Sequence, residues 1–110
     1  MANTFKSYTK TTVTNSLTDI YTVPSATTSI VIGISLANIL DNGNTVYADV
    51  KVDKSTGDDV FLIKNAPLYD GAAFTLSDTG KIILETGDKI QAISNTASSV
   101  DILVSVLEQT

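Results

Sequence analysis

Asp53, Ser55, Thr56, Asp58 and Asp59 gather hard oxygen donors around Gly57 in one short segment, a grouping whose chemistry would be Ca²⁺ coordination. The spacing departs from the EF-hand order, which closes on a bidentate Glu, and carboxylates clustered in a turn are ordinarily just solvated. Asp78 and Glu85 repeat the idea in weaker form. Asp49, Glu85, Asp88, Asp101 and Glu108 offer pairings for glycoside hydrolysis, yet nothing in their spacing builds a cleft, and acids on outward strand positions serve solubility. A nucleophilic serine needs a base, and the chain contains no His, Cys, Arg or Trp. These residues predict no enzyme, no cofactor and no bound metal.

The elements that must position such groups are strands. Leu17–Val23 is a short strand ended by Pro24, which lacks a ladder donor. Thr27–Leu40 is the richest, with apolar or small residues in both alternate sets, as in a central strand covered on both faces. Asn42-Gly43 follows it and predicts a hairpin. Thr45–Asp53 alternates, with Val46, Ala48, Val50 and Val52 inward and Tyr47, Asp49, Lys51 and Asp53 outward. Val60–Lys64 returns after the Lys54–Asp59 turn, residues 65–71 read as a loop, and Ala72–Leu76 is another short strand ending in a turn over Ser77–Gly80. Residues 80–108 read as an antiparallel meander of three strands, Gly80–Glu85, Asp88–Ile93 and Val100–Val106.

No helical period interrupts this pattern. The expected fold is all-β, a single antiparallel β-sandwich of eight to nine strands, jelly-roll-like or immunoglobulin-like. Residues 1–14 carry few apolar positions and read as an N-terminal arm or edge strand, with residues 15–110 as the sandwich domain. At 110 residues the chain fits one domain that buries roughly 65% of its unfolded surface without a disulfide or metal.

Charge narrows the partners. The net charge is −5 and every cation is a lysine, so the surface repels phosphate and has no guanidinium fork, which argues against direct nucleic-acid binding. No apolar run reaches membrane-spanning length, and the first residues lack the apolar core of a signal peptide.

Val23–Gly33, the Asp49–Val52 strand, Phe61–Leu68, Lys81–Ile90 with its Leu84-Glu85-Thr86-Gly87-Asp88-Lys89-Ile90 phrase, and Ser99–Glu108 follow one another in an order that resembles a known family. The chain looks like the small virion structural proteins of tailed bacteriophages, especially marine and cyanobacterial ones, over about the last four fifths of its length. That resemblance implies a particle component without enzymatic activity, made in the host cytoplasm and located in the virion. It implies partners among other virion proteins, with the major capsid protein first (a decoration or cement role) and neck, tail, baseplate or fibre proteins second. It carries no functional residues over to this sequence. A homo-oligomer is expected, and a trimer is assigned from the shape of a quasi-threefold shell site, not from residue spacing. The rival from another class is a carbohydrate-binding module for host attachment, against which stand the missing Trp and the presence of only four Tyr.

Two strands are apolar on both faces. Ile30, Ile32 and Ile34 oppose Val31, Gly33 and Ser35, while Ile102, Val104 and Val106 oppose Leu103, Ser105 and Leu107. The second set in each requires cover, and the expected partner interface is Phe5, Tyr8, Val31, Leu103 and Leu107. Tyr69 and Phe74 are expected to cap the core.

Overall fold

A computed structural model describes residues 2–76 and 82–110. Among these, the strands are β1 (Asn3–Val13), β2 (Thr18–Thr22), β3 (Thr28–Asn38), β4 (Val46–Asp53), β5 (Val60–Leu68), β6 (Ala73–Leu76), β7 (Ile82–Leu84), β8 (Lys89–Ser94) and β9 (Val100–Gln109). The larger sheet runs β1-β9-β3-β6, with β7 also paired to β3, and the smaller runs β2-β8-β4-β5. All ladders are antiparallel. With β6 and β7 taken as one interrupted strand, the outer strands of the chain pair with each other and successive strands alternate between sheets except at β4 and β5, which are neighbours in the smaller sheet. This is the order of a jelly roll and not of an immunoglobulin sandwich, where the first two strands are neighbours in one sheet.

Two expected local pairings are therefore corrected. Residues 80–108 do not form a meander, because β7 and β9 lie in the larger sheet and β8 between them lies in the smaller. Asn42-Gly43 does turn the chain, with Gly43 at φ +79°, but it carries β3 of one sheet across to β4 of the other. Turn residues encode a local reversal and not which ladder the next strand joins. Of consecutive strands, β4 and β5 pair with each other. The expected Ser77–Gly80 turn lies outside the described residues.

Each sheet turns one face inward. The larger contributes Val13, Val31, Ile34, Leu36, Leu84, Ile102, Val104 and Val106; the smaller contributes Tyr21, Val46, Ala48, Val50, Val52, Leu68, Ile90 and Ala92. Full burial of each aliphatic side chain contributes roughly 1.5–3 kcal/mol relative to exposure. The inward alternation of β4 is as the sequence predicts. That of β3 is not: the register against β9 steps from Val31↔Val106 to Gly33↔Ser105, making Ile32 an extra residue. Val31 therefore points inward before the bulge and Ile34 and Leu36 after it, while Ile30 and Ile32 face out.

β1 is an edge strand of the larger sheet, laddered to β9 and ending in the core at Val13. β5 also departs from expectation, since residues 65–68 continue the strand. Asn65 takes a left-handed φ of +52°, which Asn tolerates, and the resulting irregularity leaves Pro67 at an edge, where its missing donor costs nothing.

Asp88, fully buried, joins two turns of the sandwich. Its carboxylate accepts hydrogen bonds from the backbone N–H of Ser55 (3.0 Å) and of Glu85 (2.9 Å) and pairs with Lys54. Burial pushes this carboxyl up, but Lys54 and the two backbone donors outweigh burial and hold it below the usual carboxylate range. The adjoining Gly87 sits at φ +87°, and a Cβ there would stand 3.2 Å from the Ser55 side chain. Gly87→Ala is expected to lower stability by roughly 1–2 kcal/mol from backbone strain alone. Thermal unfolding checks this, and an unchanged midpoint would refute the requirement for glycine.

Candidate functional site

Residues that are cross-strand partners share a face, so the ladders assign the outer face of the larger sheet residue by residue. Phe5 of β1 stands opposite Leu107 of β9, Leu107 opposite Ile30 of β3, and Ile30 opposite Ile83 of β7. One apolar row thus crosses the sheet. Phe5 is 74% exposed and Ile83 63%, although both are large apolar side chains. Ile32 adds to the row through the bulge. Leu103 lies two rows along, beside Thr9 and Ser35, on the wall of a shallow groove of about 350 Å³. Between these rows sit Ser7, Ser105 and Gly33. Among the described cross-strand partners on this face the charged residue is Asp101, at the far end of β9, where Lys10 also lines the groove; Glu85 lies just beyond Ile83 at the opposite margin.

The outer face of the smaller sheet is different in kind. Lys89 pairs with Asp19 at 3.2 Å, Lys51 with Asp59 at 3.2 Å, and Lys64 with Asp49 at 3.0 Å. Gln91 donates to Asp19 at 2.7 Å, and the Lys64 ammonium lies 4.6 Å from the Phe61 ring centre. Asp49, expected to be outward and solvated, is buried instead: the irregular course of β5 brings the Asn65 N–H to its carboxylate at 2.6 Å. A cleft of about 310 Å³ beside it is lined by Asn15, Tyr47, Asp49, Asn65, Ile93 and Asn95, but its carboxylate is already engaged by Lys64 and Asn65.

Of the expected interface residues, Phe5, Leu103 and Leu107 come together on the outer face of the larger sheet. Tyr8 and Val31 do not. Val31 belongs to the core because of the bulge, and Tyr8 points between the sheets, its ring 4.5 Å from that of Tyr21. Ile30, Ile32 and Ile83 complete the face and were missed by alternation alone. Gly33, a glycine within a strand, was the available signal of a bulge. Tyr69 is 64% exposed and caps nothing, whereas Phe74 packs against the core as expected.

In the candidate calcium loop Asp59 serves to close the turn. Asp59 accepts from the Lys54 N–H and pairs with Lys51, and among the described residues no three acidic groups converge on a common point.

The densest cluster of titratable groups lies between the sheets. Glu108, 4% exposed, accepts hydrogen bonds from the hydroxyls of Tyr21 (2.6 Å) and Tyr8 (3.1 Å) and pairs with Lys6 at 3.2 Å. Tyr21 also bonds the Ser29 hydroxyl. Burial pushes the Glu108 carboxyl up, but the donors Tyr21, Lys6 and Tyr8 together hold it below the usual range, and burial with the carboxylate bond pushes the Tyr21 phenol well up. The arrangement ties β1, β2, β3 and β9 together and saturates the carboxylate, so its chemistry is that of a structural lock.

A scan against protein-family models finds no match, and a search of curated proteins finds no similar sequence.

Because the folded pKa of Glu108 lies below its ordinary value of 4.5, its stabilising contribution is complete above that pH and is lost as pH falls through the lower folded value. Glu108→Gln is expected to cost about 1–3 kcal/mol near neutrality, where charge-assisted bonds are lost. The difference from wild type should shrink in acid, as pH falls below 4.5 and through the lowered folded value, where Glu108 itself takes up a proton. Urea midpoints near neutrality and in acid measure it, and a pH-independent difference would contradict the assignment.

Proposed function

We propose that this chain is a non-enzymatic structural component of a tailed-phage particle, a capsid decoration or cement protein that seats the outer face of its larger sheet on neighbouring capsid subunits. The observation that carries this reading is the contrast between the two outer faces. One is laced with ion pairs suited to water; the other presents Phe5, Leu107, Ile30 and Ile83 as a row, with Ile32 and Leu103, and among the described residues its charges, Asp101, Lys10 and Glu85, lie at its margins. Protein interfaces are depleted of charge at their centres and enriched in such anchors. The resemblance of the chain to small virion proteins supports the same reading, and the jelly-roll strand order is one that viral capsid domains use, though a fold by itself assigns no role.

Mechanistically, a bound copy would remove the apolar row from water and bridge adjacent subunits. Because it binds the assembled shell and not free subunits, it would shift the equilibrium toward the closed particle. The chain would be made in the host cytoplasm and reside in the virion.

Ile83→Asp and Leu103→Asp place a charge on the docking face at exposed positions, where folding stability should change by only about 0.5 kcal/mol. Burying that unpaired charge against the shell should abolish incorporation into particles. Thr22→Asp, on the opposite face, should incorporate normally. Protein analysis of purified virions, with melting curves of the isolated variants, measures both. Full incorporation of the first two variants would overturn the docking face. Copy number in a particle map tests the location: occupancy across the shell supports decoration, and copies confined to the neck or tail axis refute it.

A further inference from the structure

Ala2 and Thr110 exchange both backbone hydrogen bonds, N–H to O at 3.3 and 3.0 Å. In an antiparallel ladder such bonded pairs alternate with unbonded ones. It follows that Thr4, Lys6, Tyr8 and Lys10 direct their backbone groups toward β9, while Asn3, Phe5, Ser7 and Thr9 direct theirs away from the sheet. The other edges are guarded. β5 carries Pro67 and the left-handed Asn65, β2 is short and bulged, and β6 and β7 are short segments. Among the described residues, β1 alone presents an uninterrupted run of outward-directed backbone donors and acceptors, from Asn3 to Thr9.

We propose that this edge pairs with the same edge of a second copy, through a two-fold axis at Ser7, joining the two larger sheets into one. In that register Ser7 bonds Ser7 of the second copy, and Phe5 and Thr9 bond each other reciprocally. Lys6 then lies opposite Tyr8 and Lys10 opposite Thr4, so no lysines oppose. Moving the axis to Lys6 sets Lys6 against itself, and moving it to Tyr8 sets Lys6 against Lys10; like charges directly opposed across strands destabilise a ladder. Moving it to Phe5 avoids the clash but sets Thr9 against position 1, outside the described residues.

The outer face gives a second reason for choosing this occupant. A two-fold axis perpendicular to the sheet keeps both outer faces on one side. Phe5 at the end of the apolar row then meets Thr9 of the second copy, whose own cross-strand partner is Leu103. The row of one copy thereby continues into the Leu103 patch of the other, and the two patches on each copy become one surface. The symmetry supplied by this edge is two-fold. The proposal stands independently of any particle, because it concerns the isolated chain.

The absence of cysteine makes the test direct. Bonded antiparallel partners hold their Cα atoms about 5.5 Å apart, within disulfide range. Under mild oxidation Ser7→Cys should therefore cross-link two copies. Lys10→Cys should not, its two copies lying about 20 Å apart along the seam. Light scattering of the unmodified chain should give twice 11.6 kDa, and Ser7→Lys, which sets two ammonium groups face to face, should return 11.6 kDa. Ser7→Pro should do the same, since the donor it removes serves only the free edge; circular dichroism confirms that both variants fold. A wild-type chain that stays at 11.6 kDa however concentrated overturns the proposal, as do equal cross-linking of the two cysteine variants or a Ser7→Lys variant of unchanged mass.

Discussion

The extra residue at Ile32 is the constraint on which the face assignments of this protein depend. β3 is central in the larger sheet, pairing β9 along one side and β6 and β7 along the other. With strict alternation, inward Val31 would be followed inward by Gly33 and Ser35, and Ile34 and Leu36 would be turned to the outside. The bulge lets both halves of the strand bury their larger set. It also falls between the stretch paired with β7, Ser29–Val31, and the stretch paired with β6, Ile34–Ala37.

Around that frame, two carboxylates are buried where strands of different sheets must be held together. Glu108 receives two phenols and an ammonium; Asp88 receives two backbone N–H groups and an ammonium. Each is saturated, as a buried charge must be if it is not to cost several kcal/mol. Lys6 is half exposed, so its share at Glu108 is screened by water and the tyrosine hydroxyls carry more of the bond. Among the described residues no buried side-chain polar atom lacks a partner. The smaller sheet spends its outward charges on one another, whereas the larger sheet scarcely has any, and this division gives the molecule two sides of different chemistry.

Much of the class was legible in the residues. Dense Val, Ile and Thr broken by Asn, Gly and Ser located most strands, and the alternation in Val46–Val52 fixed its inward face. Pairing was not legible, because Asn42-Gly43 and Thr86-Gly87 specify reversals that serve equally within a sheet or between sheets. The interface was half legible. Phe5, Leu103 and Leu107 follow from alternation in stretches of regular register, since the β1–β9 ladder shifts only beyond Lys10, but Val31 and Ile32 depend on a bulge that only Gly33 hinted at. Tyr8 was misplaced for another reason: an aromatic in a polar segment resembles a surface anchor until Glu108, 100 residues away, supplies its hydroxyl with an acceptor.

The alternation of strands between sheets, broken only at β4 and β5, also governs how the chain must find its shape. β4 and β5 can zip together locally, but β1 has no partner until β9 arrives, and such distant ladders require loop closure before any bond rewards it. Folding should consequently be slow for the size of the chain, with β1 waiting through synthesis as a bare ribbon. Its lysines at positions 6 and 10 are then a safeguard for the nascent state, keeping that ribbon soluble until the last strand reaches it.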